Sequence, residues 1–370
     1  MRNDKATHIF SAKLTLFGSW LVIGLLVGGC VLLNPTSQGY AEDESSTTNP
    51  VLFFCIGMHI EPMGAEVSEI ALAAGATAKP GDGDPGKPDY HNRAYFERHA
   101  ENLRTLAAIL EQHGCVMTVQ AQSPFTTVAA QLGNTILSDL EDQGHEIALH
   151  FHEDAHLGEN AGNLPVAVWS AVMAEEIDFI RACGVEGPIR YWSGGNLYPG
   201  VLEAASAAGL DVYSDWKNPM TQSTLPQLIG VHPWRPVGGT DGFDATAFVE
   251  HDPNGAVIFL PPGEIDPFAF SHKRQITAQG GDAAWFEVIE EALLASVEAA
   301  SPDRVNTYHF TMHPGEFVGD PKDPLAIIDQ FLTQVVDPLV ASGKVRWATF
   351  SEMADVFIEW EETHPGVDPR

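Results

Sequence analysis

The stretch GHEIALHFHEDAH, residues 144–156, combines the pattern of a buried strand with a dense group of imidazole side chains. Alternate side chains of a strand lie on one face, so His150 and His152 are predicted to point together from the carboxyl end of this strand. His152 and His156 are separated by about one helical turn and form a second pair that could share a ligand. The stretch therefore predicts a strand that ends in metal-binding histidines, with the partner of His150 left open.

The chain around this stretch alternates short β-rich runs with helical patterns, which is typical of a sheet built from βα units. We predict eight strands, at Val51–Ile56, Cys115–Gln120, Glu146–His152, Pro188–Tyr191, Val212–Asp215, Ala256–Leu260, Asn306–Met312 and Val345–Thr349. Asp282 and Asp323 are predicted to begin helices as N-caps. Seven or eight such units favour an α/β fold, an irregular (β/α) barrel over residues 51–362, followed by a tail at 363–370.

Composition limits the classes of function that the chain can have. Its 370 residues are 44% hydrophobic, which is enough for a large core. The 19 basic and 50 acidic residues give a net charge of -31, which would repel nucleic acid and anionic lipid head groups. No Cys-x-x-Cys motif is present, so Cys55, Cys115 and Cys183 are predicted to be buried thiols rather than a zinc finger or a redox pair. Nucleic acid is therefore excluded as a partner.

The first 41 residues are predicted to be an export signal or an anchor. Basic residues precede an apolar run, Leu14–Leu33, that is long enough to span a bilayer. Three fates are open for this segment: lipid attachment and cleavage at Cys30, cleavage after Ala41, or retention as a membrane anchor. Residues 42–50 form a polar linker. We expect an exported protein, periplasmic, extracellular or anchored facing outward, that meets a membrane only through this segment.

Other polar residues stand beside predicted strands elsewhere in the chain. His59 and Glu61 share a face after the first strand, where Glu61 could complete a nitrogen and oxygen shell suited to zinc, with cobalt, nickel or manganese as alternatives. His313 follows a late strand and is a candidate proton donor, because imidazole exchanges protons near neutral pH. Arg190 stands near the end of a short strand that precedes paired glycines. Sites of (β/α) barrels form at the carboxyl ends of strands, where these groups would meet.

These motifs, in this order, resemble those of the polysaccharide deacetylases, the nodulation-protein-B-like carbohydrate esterases. Residues 144–150 resemble the family's G-H-E-I-G-x-H segment, and residues 189–195 resemble its F-R-x-x-x-G segment. Residues 312–314 are similar to its late histidine motif, and residues 346–353 to its closing strand and helix. The resemblance covers most of residues 51–362.

The resemblance implies a distorted (β/α) barrel that binds one divalent metal, usually zinc, through an acidic residue and two histidines. Two positions depart from the family pattern. The family has an aspartate base and an aspartate ligand in its first motif, where this chain has His59 and Glu61. In register with His150, the second family histidine falls on Asp154, so that His152 or His156 would serve in its place.

The expected function is that of a metal-dependent hydrolase that removes acetyl groups, N-acetyl in preference to O-acetyl, from an extracellular glycan. His59 or a nearby carboxylate would act as the base, His313 would protonate the leaving amine, and Arg190 would orient the base. Three tryptophans could offer apolar faces to sugar rings: Trp192, Trp216 and Trp234.

Two alternatives remain at this stage. One is a carbohydrate-binding barrel that has lost catalysis, since His59 replaces the family's aspartate. The other is a glycoside hydrolase that pairs Glu61 with Glu264 or Asp266.

Overall fold

The computed structural model describes residues 49–78, 89–194, 198–214, 224–241, 244–265, 273–314 and 324–370. These residues belong to one compact unit. The predicted export segment lies outside these ranges, as do Trp216, Asp266 and Asp323.

Within the described ranges, eight strands form a single parallel sheet, and each lies at a predicted strand. They are β1 (Leu52–His59), β2 (Met117–Ala121), β3 (Glu146–Phe151), β4 (Tyr191–Gly194), β5 (Val212–Tyr213), β6 (Ile258–Phe259), β7 (Asn306–Met312) and β8 (Val345–Trp347). The strand order is β6-β5-β4-β3-β2-β1-β7, and β8 pairs with the start of β1. This curled parallel sheet, with helices around it, confirms the predicted irregular (β/α) barrel.

Strand β1 decides which side chains face the inside of the barrel. Phe54, Ile56 and Met58 are buried against the surrounding helices. Cys55 alternates with them and packs in a second, inner cluster with residues such as Tyr191. Side chains of a strand alternate between its faces, so His59, four residues after Cys55, lies on the inner face at the carboxyl end of β1.

The chain that leads into β6 links this strand to β7. Trp234 and Phe259 exchange backbone hydrogen bonds of 3.2 and 2.7 Å, and the amide of Thr307 donates to the carbonyl of Val231 at 2.7 Å. His309 Nε2 donates to a backbone oxygen at the end of β6 at 3.2 Å. Among the described residues, a segment that is not a β-strand therefore connects β6 with β7. The barrel is irregular at this point.

Helices follow the strands and cover the outside of the sheet. The α-helices of the described residues are α1 (Glu69–Ala73), α2 (Arg93–Gln112), α3 (Phe125–Leu132), α4 (Ile136–Asp142), α5 (Glu153–His156), α6 (Val166–Arg181), α7 (Val201–Ala207), α8 (Thr246–Val249), α9 (Lys273–Ala299), α10 (Pro324–Phe331), α11 (Asp337–Ala341) and α12 (Phe350–Thr363). None of the described helices is long and apolar enough to cross a membrane. The predicted buried thiols are confirmed, because Cys55, Cys115 and Cys183 are free and buried.

One local prediction, the helix N-cap at Asp282, needs correction. Asp282 is not an N-cap, because α9 begins at Lys273 and runs through this position. The preceding Gly-Gly pair costs a helix about 1 kcal/mol per glycine relative to alanine, but the later part of α9 buries Ile289 and Leu293 against the core. The predicted tail, 363–370, packs back on the barrel, with the Arg370 guanidinium 4.3 Å from the Trp234 ring centre.

A histidine between two aspartates ties α2 to later helices and predicts a pH-dependent stability. His113 Nδ1 lies 2.9 Å from Asp337 Oδ2, and its Nε2 lies 3.1 Å from Asp329 Oδ1. Partial burial lowers the pKa of His113, but its hydrogen bonds to both aspartates outweigh burial and raise this pKa above its ordinary value of 6.5. The stabilisation is therefore fully present below pH 6.5 and is lost as the pH rises through the raised pKa.

We expect His113→Gln to lower the free energy of unfolding by about 1 kcal/mol at pH 6, the upper range for partly exposed ion pairs. The difference from the wild type should shrink by pH 9. Urea unfolding of both proteins at the two pH values measures it. A difference that stays constant over this range would contradict the assignment.

Candidate metal centre

The carboxyl ends of β1, β3 and β7 bring five polar side chains together. His59 is the last residue of β1, and Glu61 follows two residues later. His150 lies within β3, His152 directly after it, and His313 directly after β7. We call these five residues the strand-end cluster. Parallel strands present their carboxyl ends at one edge of the barrel, which is why residues so distant in sequence converge.

Glu61 lies at the centre of the strand-end cluster. Its Oε1 is 3.0 Å from Nε2 of His313 and 3.9 Å from Nε2 of His150. Its Oε2 is 3.0 Å from Nε2 of His152. One carboxylate therefore faces three imidazoles from two other strands.

His59 is the fifth member of the cluster, and its ring contacts those of two other members. Its ring stacks on that of His150 with 4.0 Å between centroids and meets the His313 ring edge-on at 5.5 Å. His59 and His150 are almost fully buried, whereas the side chains of His152 and His313 are 36% and 22% exposed. The cluster therefore has a buried half and a half that opens to solvent.

Charge within the cluster is concentrated on the contact between Glu61 and His152. Burial alone would raise the pKa of Glu61, but the charge of His152 and hydrogen bonds from His152 and His313 hold this pKa well below its usual value. Burial likewise would lower the pKa of His152, but the negative charge of Glu61 raises it well above its usual value. Without a metal the two residues therefore form an ion pair.

A group of three cluster residues, the buried His59 and His150 and the partly exposed Glu61, has donors that fit a divalent metal. Ligand atoms of His59, Glu61 and His150 all lie within 4.8 Å of one another. Two imidazoles and one carboxylate are a set found in catalytic zinc sites. The geometry thus groups His59 with the ligands, whereas the resemblance had placed it at the base position.

Ser193 orients one of these ligands. It lies on β4 opposite His150, and its Oγ is 2.6 Å from His150 Nδ1. A histidine that donates from Nδ1 keeps the lone pair of Nε2 for a metal. The Nε2 of His150 is the atom that faces Glu61. The fixed ring of His150 is therefore a second feature that fits metal binding.

Ser193→Ala is expected to weaken zinc binding about 10- to 100-fold, the usual cost of losing the hydrogen-bond partner of a metal ligand. Ser214→Ala is the matched control, since Ser214 is an equally buried serine that bonds the Tyr191 hydroxyl at 2.5 Å. Competition with a chromophoric chelator measures both affinities. Equal affinities of the two variants would show that Ser193 does not orient a ligand.

Arg190 does not join the strand-end cluster. Strand β4 begins at Tyr191, so Arg190 precedes it and lies toward the amino end of the sheet. Its Nε and Nη2 donate to Asp211 at 3.0 Å each, and its Nη1 donates to Asp355 at 2.7 Å. The contacts of Arg190 with other described residues therefore join β4, β5 and α12, and none of them would orient a base.

Among the three alternatives after His150, the structure brings His152 to Glu61. His156 ends the short helix α5, where its Nε2 donates to Gln122 Oε1 at 2.7 Å and its Nδ1 lies 3.3 Å from Glu176 Oε1. Both ring nitrogens thus face partners other than Glu61. Asp154 lies 3.7 Å from the Nδ1 of His152 and is half exposed, on the outer side of that ring.

The structure also limits the substrate contacts and the glycosidase alternative. Trp192 and Trp234 are buried in the core, so neither offers a face to a sugar. Glu264 is exposed, and its backbone amide is bonded to Ser296. No described contact therefore supports the pairing of Glu61 with a second catalytic carboxylate.

Sequence reasoning missed Ser193 and Gln122. Ser193 alternates with Tyr191, so the period of a strand could have indicated that it faces the barrel interior. Gln122 stands two residues beyond the predicted end of the second strand and carries no metal-binding group. Its place beside the cluster follows only from the three-dimensional arrangement.

Solved structures share this fold at low sequence identity. A protein of Mycobacterium smegmatis assigned to the polysaccharide deacetylases has a TM-score of 0.53 and 14% identity, with 91% of this chain and 97% of that one covered. A protein of Pseudomonas aeruginosa PAO1 with the same assignment has a TM-score of 0.53 and 14% identity, with 86% and 94% covered.

A third structure, the 4-alpha-glucanotransferase of Thermococcus litoralis, has a TM-score of 0.50 and 14% identity over 86% of this chain. This chain spans only 41% of the length of that enzyme. No protein-family model and no curated protein matches the chain. The chain has the fold of solved polysaccharide deacetylases, which confirms the resemblance at the level of the fold.

Proposed function

We propose that this chain is a metal-dependent hydrolase that removes acetyl groups from a glycan outside the cytoplasm. The observation that carries the proposal is the strand-end cluster, in which two histidines and a carboxylate fit a metal while two more histidines line the open side. Its position at the carboxyl ends of barrel strands is where (β/α) barrels place their active sites. The fold shared with polysaccharide deacetylases supports the choice of substrate class.

The three metal-binding candidates and the two remaining histidines of the cluster have separate tasks. His59, Glu61 and His150 would hold the metal, for which zinc is the first choice because of the mixed imidazole and carboxylate set. When bound, such a cation supplies Lewis acidity to a carbonyl group and to water. Ser193 keeps the His150 ring in the orientation that binding requires.

The open half of the cluster handles protons. With His59 grouped among the ligands, His152 and His313 are the two imidazoles left on the solvent side. His313 would donate a proton to the leaving nitrogen or oxygen, as its place at the end of β7 suggests, because imidazole exchanges protons near neutral pH. His152 would be able to accept a proton once a bound cation offsets the charge of Glu61, which otherwise holds this imidazole protonated. Asn102 supports this arrangement by donating to the carbonyl of Pro314, directly after His313, at 3.2 Å.

The net charge of -31 favours a neutral glycan or one that gains a positive charge, because an anionic polymer would be repelled. Removal of an N-acetyl group leaves an amine, which supports N-acetyl in preference to O-acetyl substrates.

The apolar run at Leu14–Leu33 supports export of the protein from the cytoplasm. Recovery of uncleaved protein in the cytoplasmic fraction would contradict export.

The test is acetate release from N-acetylated and O-acetylated oligosaccharides by zinc-loaded protein, repeated after chelation and after zinc is returned. We expect release from the N-acetylated substrate, loss with the chelator and recovery with zinc. Bound zinc and bound oligosaccharide without release would favour the inactive carbohydrate-binding barrel. Chelator-resistant cleavage of glycosidic bonds would favour a glycoside hydrolase.

A further inference from the structure

Gln122 is a buried residue that connects the two segments carrying most of the strand-end cluster. It follows β2 directly, and β2 lies between β1 and β3 in the sheet. Its side chain is fully buried. A buried amide group is costly unless its donors and acceptor are satisfied, so its hydrogen bonds indicate what it holds in place.

The two ends of the Gln122 amide contact different strands. Its Nε2 donates to the carbonyl of Ile60 at 3.0 Å, and Ile60 stands between His59 and Glu61. Its Oε1 accepts from the backbone amide of His152 at 3.3 Å. One side chain thus joins the segment after β1 to the segment after β3. These are the segments whose side chains meet at the 3.0 Å contact between Glu61 and His152.

A buried chain of groups fixes the orientation of this amide. His156 Nε2 donates to Gln122 Oε1 at 2.7 Å, and His156 Nδ1 lies 3.3 Å from Oε1 of Glu176, which is buried on α6. Glu176 is itself held by the backbone amide and the hydroxyl of Ser123, both at 2.7 Å. Because the backbone amide of His152 can only donate and the carbonyl of Ile60 can only accept, a flipped amide would place its nitrogen against the first and its oxygen against the second. The Nε2 of Gln122 is thereby directed at Ile60.

We propose that Gln122, held by His156 and Glu176, is a positioning residue that sets the spacing between Glu61 and His152 across the top of the barrel. It touches neither metal nor substrate, and its effect on catalysis rests on the proposed function. This role also accounts for His156, a histidine of the 144–156 stretch that does not reach Glu61. The stretch thus supplies cluster residues from its strand and an orienting residue from the helix that follows.

The test compares Gln122→Met, which keeps the length of the side chain and removes its hydrogen bonds, with Asn306→Leu. Asn306 is an equally buried amide at the amino end of β7, where its Nδ2 donates to the carbonyls of Val51, Ser301 and Arg304. Both variants lose a buried amide with several bonds, so their melting temperatures should fall similarly. Only Gln122→Met should disturb the strand-end cluster.

Two readouts are measured on both variants of the full chain. Amide hydrogen exchange of metal-free protein should become at least tenfold faster in residues 59–62 and 150–154 of Gln122→Met and stay unchanged there in Asn306→Leu. Cobalt affinity, followed by its visible absorption, should fall about 10- to 100-fold in Gln122→Met and stay at the wild-type value in Asn306→Leu. Gln122→Glu is the second variant. It keeps an acceptor for His152 and should loosen residues 59–62 alone.

Wild-type exchange in both segments of Gln122→Met would overturn the positioning role, whether or not the chain binds a metal. If Gln122→Met does not fold, wild-type exchange of residues 59–62 in Gln122→Glu overturns it equally. Faster exchange at these segments in a chain whose wild type binds no cobalt would support the role of Gln122 and contradict the proposed function.

Discussion

Replacing Glu61 with alanine is expected to lower zinc affinity by more than about a hundredfold, beyond the usual loss for a residue that only supports a ligand. Glu61 is the carboxylate of the group His59, Glu61 and His150, and its oxygens face three imidazoles. Its removal therefore leaves a set of histidines without the negative charge that would offset a divalent cation. Isothermal titration with zinc, or competition with a chelator, measures the loss.

Controls separate this effect from unfolding. Glu66→Ala removes an exposed carboxylate five residues later and should leave zinc affinity unchanged. In metal-free Glu61→Ala, the pKa of His152 should fall, because burial lowers it and the charge of Glu61 no longer raises it. Imidazole NMR follows that pKa. Full zinc affinity in Glu61→Ala, or an unmoved pKa of His152, would contradict the arrangement.

His313→Gln is expected to lower kcat about a hundredfold to ten-thousandfold while zinc stays bound, the range for losing a general acid. Glutamine can still donate a hydrogen bond toward Glu61, as His313 Nε2 does at 3.0 Å, but it cannot deliver a proton at neutral pH. Metal binding and turnover should therefore separate in this variant. Acetate release and zinc content, measured on the same preparation, test the separation.

His364→Gln serves as the control, because His364 is an exposed histidine after α12, outside the strand-end cluster. A fully active His313→Gln enzyme would contradict the role of His313 as proton donor.

The variant His59→Asp distinguishes a metal ligand from a base at this position. If His59 binds metal, as its grouping with Glu61 and His150 indicates, zinc affinity should change together with the rate; a base alone would change the rate only.

All eight strands could be predicted, because short runs of apolar residues flanked by turn residues were enough to locate them. The first and last residues of each strand were less predictable. Strand β1 runs three residues beyond the predicted Ile56, and this extension places His59 on the inner face of the barrel. The three extra residues pair with Thr118–Gln120 of β2, and the first two of them pair with Thr311 and Met312 of β7. Pairing between distant strands leaves no local signal in the sequence.

The same limit explains why the sequence placed Arg190 in the site and left the choice between His152 and His156 open. Strand β4 starts three residues after the predicted Pro188, in register with β3 through Leu149 and Trp192, and this shift leaves Arg190 at the amino end. The choice between His152 and His156 depended on where β3 ends and α5 begins. One turn of helix was enough to direct His156 to Gln122.

The most direct test of the metal centre is the zinc content of purified full-length chain after loading with zinc and exhaustive dialysis. The account predicts about one zinc per chain in the wild type and in His145→Asn, and none in His150→Ala. These variants change two histidines of one stretch, of which only His150 belongs to the strand-end cluster, whereas His145 Nδ1 accepts from the Met117 amide at the amino end of β3. A wild type that retains no zinc, or a His150→Ala variant that retains as much as the wild type, would contradict the metal centre.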